Sequence, residues 1–139
     1  MELSRNQQHF IIMTIIYDEL VDFSSNNTEI ERDARELISE MVGEPYDAVD
    51  DFIKSVVIES LTKYGVIREA FSPCLKSWKW ERLPLLTQAI LLMSYAHYYF
   101  VDKTDKSVII DIAVTLAKKY IDVKQAQFIN AILDGVLKK

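Results

Sequence analysis

Three carboxylates, Asp47, Asp50 and Asp51, fall within five positions of one another, and clustered carboxylates are the raw material of general acid–base chemistry. No nucleophile or metal-ligand set accompanies them. At a helix start they do a simpler job, complementing the positive end of the helix dipole. The soft donors His9, Cys74 and His97 share no metal-ligand spacing. The chain has no P-loop, no glycine-rich phosphate cradle, no His-Glu-x-x-His word and no supported Ser/His/Asp arrangement. Trp78-Lys79-Trp80 is an aromatic-basic-aromatic word of a kind that can stack bases, though such tryptophans more commonly anchor a seam between packed subdomains. These residues describe a binding protein rather than an enzyme, with no cofactor and no metal expected.

The elements that must position them are helices. Leu3 to Val21 predicts a first helix with Phe10, Met13, Ile16, Tyr17 and Leu20 on its main apolar line. Thr28 with Glu31 is a capping-box word that opens a second helix, running to about Val42 and ended by Gly43. Its inward line is Ile30, Ala34, Leu37, Ile38 and Met41. Pro45 opens a third, to about Tyr64, with Val49, Phe52, Ile53, Val56, Val57, Ser60 and Leu61 inward and Gly65 as its stop. Val66–Trp78 makes a short fourth helix, interrupted near Pro73. Leu83–Val101 is apolar nearly all round, broken only by Thr87, Gln88, Ser94 and His97. Such a helix is central to a core or crosses a membrane. Gln88 and His97 at depth, the lack of a basic flank and the lack of a second such run favour the core.

Two cleanly two-faced segments follow. Val108–Ile121 carries Ile109, Ile112, Ala113, Leu116, Ala117 and Tyr120 at steps of three and four, with Thr104 or Asp105 as its cap. The last helix carries Phe128, Ile129, Ile132, Leu133, Val136 and Leu137. The connection 120–124 is short, which predicts antiparallel neighbours. Tyr95, Tyr98, Tyr99 and Phe100 cannot all point into one core. Most would fill space between helices, and exposed members would face a partner or a second copy of the chain, giving a homodimer.

Bulk properties agree with one all-α domain over residues 1–139. Half the residues are hydrophobic, and three glycines and three prolines favour long helices. Cys74 is the single cysteine, which with the absence of a signal peptide fits a reducing cytoplasm. Residues 18–59 hold 13 acidic and 3 basic side chains, a balance of −10, whereas residues 60–139 hold 7 and 12, a balance of +5. A polyanion would therefore favour the C-terminal half or the first turn of the first helix.

The words Leu116-Ala117-Lys118-Lys119-Tyr120 and Phe128-Ile129-Asn130-Ala131-Ile132-Leu133-Asp134, with Arg82-Leu83, Ala89-Ile90-Leu91 and Val108-x-Ile110-Asp111 before them, resemble the C-terminal half of the NusB family of bacterial transcription antitermination factors. Leu75-Lys76-Ser77-Trp78 fits the family's segment ahead of its central helix. The resemblance implies about seven helices in two packed subdomains, about 1–78 and 79–139, sharing the central helix. It also implies a cytoplasmic RNA-binding antitermination factor. Such a factor acts with a ribosomal protein partner, Nus factor E, on single-stranded boxA-type leader RNA, and reaches the RNA polymerase elongation complex indirectly.

The family's arginine-rich opening word aligns here with Arg5, Asn6, Gln7 and His9, of which only Arg5 keeps a fixed charge. By the resemblance these four, with Lys124 where the family often has an acid, are the candidate RNA contacts. Charges common on the family's central helix are absent at Thr87, Gln88, Leu92, Ala96 and His97. The thinned arginines leave a second reading, a helical adaptor of the same fold with weak or no RNA binding. The related module that precedes some ribosomal RNA methyltransferases would need a catalytic domain after Lys139.

Overall fold

The structure, a computed structural model, describes residues 3–23, 30–76 and 79–138. Thr28 of the Thr28–Glu31 capping word and Trp78 lie outside that set. Among the described residues there are seven α-helices and no strand: α1 Arg5–Phe23, α2 Ile30–Val42, α3 Asp51–Thr62, α4 Tyr64–Phe71, α5 Leu85–Ala96, α6 Lys106–Tyr120 and α7 Val123–Val136.

The punctuation differs from expectation in four places. Pro45 opens only a 3-10 turn, Tyr46–Ala48, and α3 starts afresh where the Asp50 carboxylate accepts from the Phe52 N–H at 2.8 Å. Gly65 ends nothing. The break is at Lys63, whose N–H still bonds the Glu59 carbonyl at 3.0 Å, and Gly65 sits in the first turn of α4. Of the two expected caps of α6, Asp105 holds the cap position but without a side-chain hydrogen bond, and the Thr104 hydroxyl is engaged with Asp102 and His97. The helix beginning at Pro84 leaves the α register at His97 and closes with a π turn, His97–Val101.

Gly43 does terminate α2. It takes φ +80° while its N–H and that of Glu44 return to the Ser39 carbonyl at 2.9 and 3.3 Å. No neighbour lies within 4 Å of where a Cβ would stand, so only backbone strain opposes a side chain. Gly43→Ala should lower stability by about 1 kcal/mol, the usual cost of a left-handed alanine. An unchanged urea midpoint would refute it.

Helix α5 is the axis of the fold. It packs on α1, α3, α4, α6 and α7. Every residue from Thr87 to Ser94 is buried. Each polar interruption has a partner. Thr87 donates to Gln125 Oε1 at 2.8 Å, Gln88 donates to the Trp80 and Leu83 carbonyls at 3.1 and 3.0 Å, and Ser94 donates to the Ile90 carbonyl at 2.7 Å. These side chains satisfy backbone and side-chain groups that burial would otherwise strand. Among the described residues no helix is long and apolar enough to cross a membrane. Buried residues from all seven helices join one hydrophobic cluster.

Trp80 locks this axis to α4. Its ring is 2% exposed, stacks on Phe71 at 5.7 Å, and donates from Nε1 to the Tyr64 hydroxyl at 2.9 Å. The other end of α5 is tied to α7. Tyr98 donates its hydroxyl to the Lys138 carbonyl, Tyr99 donates to the Val136 carbonyl at 3.2 Å, and the Lys138 N–H donates back to Tyr99 at 2.9 Å.

Candidate nucleic-acid interface

Helix α1 begins with a capping box that the sequence carries and the family comparison obscured. The Ser4 hydroxyl accepts from the Gln7 N–H at 3.1 Å, and Gln7 Oε1 accepts from the Ser4 N–H at 2.8 Å. The Ser-x-x-Gln word was the available signal. Gln7, expected as an RNA contact, therefore has its carbonyl oxygen engaged in starting the helix.

His9 does not stand on a solvent edge. It is 4% exposed, with its ring edge-on to Phe52 at 5.4 Å and tilted against His97 at 5.8 Å. Its Nε2 has no hydrogen-bond partner. Burial first, then the neighbouring His97 and Arg5, lower its pKa from the usual 6.5 to about 4, against an upward pull from Asp102. His9, expected among the RNA contacts on a helix edge, lies inside the fold instead. One turn of helix carries its side chain inward, where a charge would be stranded. Arg5, four residues earlier, lies on the same side. Its guanidinium is exposed but rests 3.8 Å from the Phe52 ring centroid.

His97 matches the expectation of a buried histidine with a polar partner. Nε2 lies 3.0 Å from Asp102 Oδ1 and 3.2 Å from Thr104 Oγ1. Burial lowers its pKa, outweighing the upward pull of Asp102. No group of three or more histidine, cysteine, aspartate and glutamate side chains among the described residues could hold a metal ion.

Asn6 is exposed and precedes Phe10 by one helical turn, so both belong to another face of α1. That face meets the far end of the chain, because Phe10 contacts Tyr120 with ring centroids 5.1 Å apart. Lys124 is exposed in the first turn of α7, just past Tyr120. There the Asp122 carboxylate caps the helix by accepting from the Gln125 N–H at 2.7 Å. The structure thus divides the five expected residues. Arg5 and His9 turn toward α3, Gln7 caps α1, and Asn6 and Lys124 flank the junction of α1 with the α6–α7 turn.

Phe10, Tyr17 and Tyr120, expected inward, are 38, 39 and 38% exposed, and Met41 on α2 is 37% exposed. The Phe10–Tyr120 pairing is non-local and had no signal in the sequence. The cluster at the end of α5 makes its ring contacts within the chain, with Tyr99 left 39% exposed. Tyr95 touches Phe71, Tyr99 and Phe100 at 5.8, 4.5 and 6.0 Å, and Lys63 Nζ lies 4.8 Å from the Phe100 centroid. Asp47, Asp50 and Asp51 are all exposed near the start of α3.

Residues 10–138 match the model of the NusB family. The matched segment begins after Arg5, Asn6, Gln7 and His9. A transcription antitermination protein NusB from Macrococcus caseolyticus is 33% identical over 114 residues, covering 79% of this chain and 86% of that one. The protein of the same name from Bacillus anthracis (strain A0248) is 28% identical over 90 residues, 65% of this chain and 69% of its own. Among solved structures, NusB of T. maritima superposes with a TM-score of 0.80 at 20% identity, over 98% of this chain and 92% of that one. A chain in a structure described as a plectonemic RNA supercoil superposes with a TM-score of 0.73 at 21% identity, over 96% and 94%. At these identities the two structures establish the fold.

Proposed function

The chain belongs to the NusB family of transcription antitermination proteins, and from that premise we propose that it binds single-stranded boxA-type leader RNA together with a ribosomal protein partner, Nus factor E, in the cytoplasm. It acts by assembly and performs no bond chemistry. It holds RNA and partner together near the elongating polymerase. The observation that carries this reading is the family match across residues 10–138. The cationic α6–α7 turn supports it. Lys118, Lys119 and Lys124 are exposed on either side of that turn, where Tyr120 meets Phe10 of α1, on the positive half of a strongly divided chain.

Affinity of the chain alone should be weak. Arg5, Lys124 and one neighbouring lysine neutralise about three phosphates, which gives a log–log salt slope of roughly −2 for single-stranded RNA. Anisotropy with a boxA-like RNA should show weak binding by the isolated chain and tight binding once the ribosomal protein is added. Tight binding by the chain alone at physiological salt would overturn the dependence on a partner. In the ternary complex, Lys124→Glu should weaken binding several-fold and flatten the slope by about 0.7.

The second reading, an adaptor that binds proteins without RNA, is favoured by one observation. Gln7 and His9 are engaged in the fold, so Arg5 is the only fixed cation left at the start of α1. A pull-down separates the two. Recovery of the ribosomal protein with leader RNA supports antitermination, and recovery of protein alone supports the adaptor.

A further inference from the structure

Phe10 and Tyr120 come from opposite ends of the chain and meet at the surface. Their centroids are 5.1 Å apart, their planes are inclined by 40°, and each ring remains 38% exposed. Helical periodicity assigns both to the interior, yet both rings stand partly open at the surface. Three residues after Tyr120, Val123 is 58% exposed.

The surroundings are cationic. Lys118 and Lys119 close the last turn of α6, and Lys119 Nζ lies 5.4 Å from the Tyr120 centroid. Lys124 is exposed in the first turn of α7. The one acidic residue between them, Asp122, has its carboxylate engaged as the cap of that helix.

We infer that Phe10 and Tyr120 form a stacking platform for one or two unpaired bases of single-stranded RNA, with Lys119 and Lys124 taking the flanking phosphates. This rests on the RNA-binding reading above and gives it a location. Half-exposed rings interleaved with lysines match the grooves that track single strands, where the aromatic face takes any base and the cations follow the backbone. A protein-docking patch would instead be more continuously apolar and poorer in lysine at its centre. Lys119, now over the Tyr120 ring, would exchange that contact for a phosphate as a base arrives. The platform also compensates for the thinned arginines. Stacking contributes affinity without counterion release, so it leaves the salt slope unchanged.

The test uses the complex of the full chain with the ribosomal protein and a short single-stranded leader RNA carrying 2-aminopurine at successive positions. Binding should quench the probe at one or two adjacent positions. Phe10→Leu and Tyr120→Leu keep apolar contact but remove the π face. They should abolish that quenching and weaken RNA binding roughly tenfold with the salt slope intact. Phe10→Tyr and Tyr120→Phe should behave as the parent. Circular dichroism and melting confirm that the leucine variants are folded, and either variant alone suffices. Parent-like affinity and quenching in a folded leucine variant would overturn the platform while leaving RNA binding in place. So would a leucine variant that lost the ribosomal protein in the absence of RNA, or changed the oligomeric state, since the patch would then dock protein. If the parent complex binds no RNA, the underlying reading fails and the platform with it.

Discussion

Trp80→Ala is expected to remove about 4 kcal/mol of folding stability, within the usual range for a buried aromatic truncated in a core. Three losses coincide. The ring is 2% exposed and stacks on Phe71, so its removal opens a cavity between α4 and α5. The Tyr64 hydroxyl loses the indole N–H that donates to it at 2.9 Å. The 3-10 turn Trp80–Arg82, which delivers the chain to Pro84, loses its anchor, although Gln88 still reaches the residue 80 carbonyl from inside α5. For a chain of this length the melting temperature should fall by roughly 10–20 °C. Chemical unfolding with a loss below about 1.5 kcal/mol would show that the site collapses around the smaller side chain. Trp80→Phe, which keeps the stack and loses only the hydrogen bond, should cost about 1 kcal/mol.

The second large effect is acid lability set by His9. In the unfolded chain this imidazole takes a proton near pH 6.5, and in the folded chain only near pH 4. Between those values the unfolded state binds more protons, so stability rises with pH. It should be highest above about pH 6.5 and fall as the pH drops toward 4, by about 2 kcal/mol at pH 5. His97, also lowered by burial, acts in the same direction. The groups facing the His9 ring explain why it stays neutral. Phe52 of α3 and His97 of the π turn supply no acceptor, Arg5 adds like charge, and Asp102 is turned to His97. His9→Leu removes the titrating group and its unpartnered Nε2 together. The variant should match the parent near pH 7.5 and exceed it at pH 5. Parallel pH–stability curves for the two proteins would count against the assignment.

The residues show where sequence reasoning holds and where it stops. All-round apolarity from Leu83 onward identified the central helix, because a 12-residue helix with nine buried positions leaves no polar face to misread. The stripes of α6 and α7 were legible for the same reason, with Ile109, Ala113, Leu116, Ile129, Leu133 and Val136 all buried as their spacing requires. Helix α1 was harder. Ile11, Ile12, Met13, Ile15 and Ile16 are apolar on every side, so periodicity could not say which line faces the core. Packing against α5 and α3 decided it, and left Phe10 and Tyr17 outside. The chemistry of α1 was less legible still. Whether His9 meets phosphate or Phe52 depends on a helix more than 40 residues away, and on a π turn that no local word announces. The Ser4–Gln7 box was local and readable, and it was overshadowed by the family's arginine pattern.

The two tyrosine hydroxyls at the π turn also bear on how the molecule opens. The Tyr98–Lys138 bond joins residues 40 apart, enclosing all of α6 and α7 in one loop. A helix ordinarily frays from its ends, where its amides exchange first with solvent. Here fraying must first release a strap made of Tyr98, Tyr99 and the Lys138 backbone. The closing amides of α7 should therefore exchange with deuterium on nearly the timescale of the central helix, and the pair should unzip from the turn at Ile121 rather than from the tail.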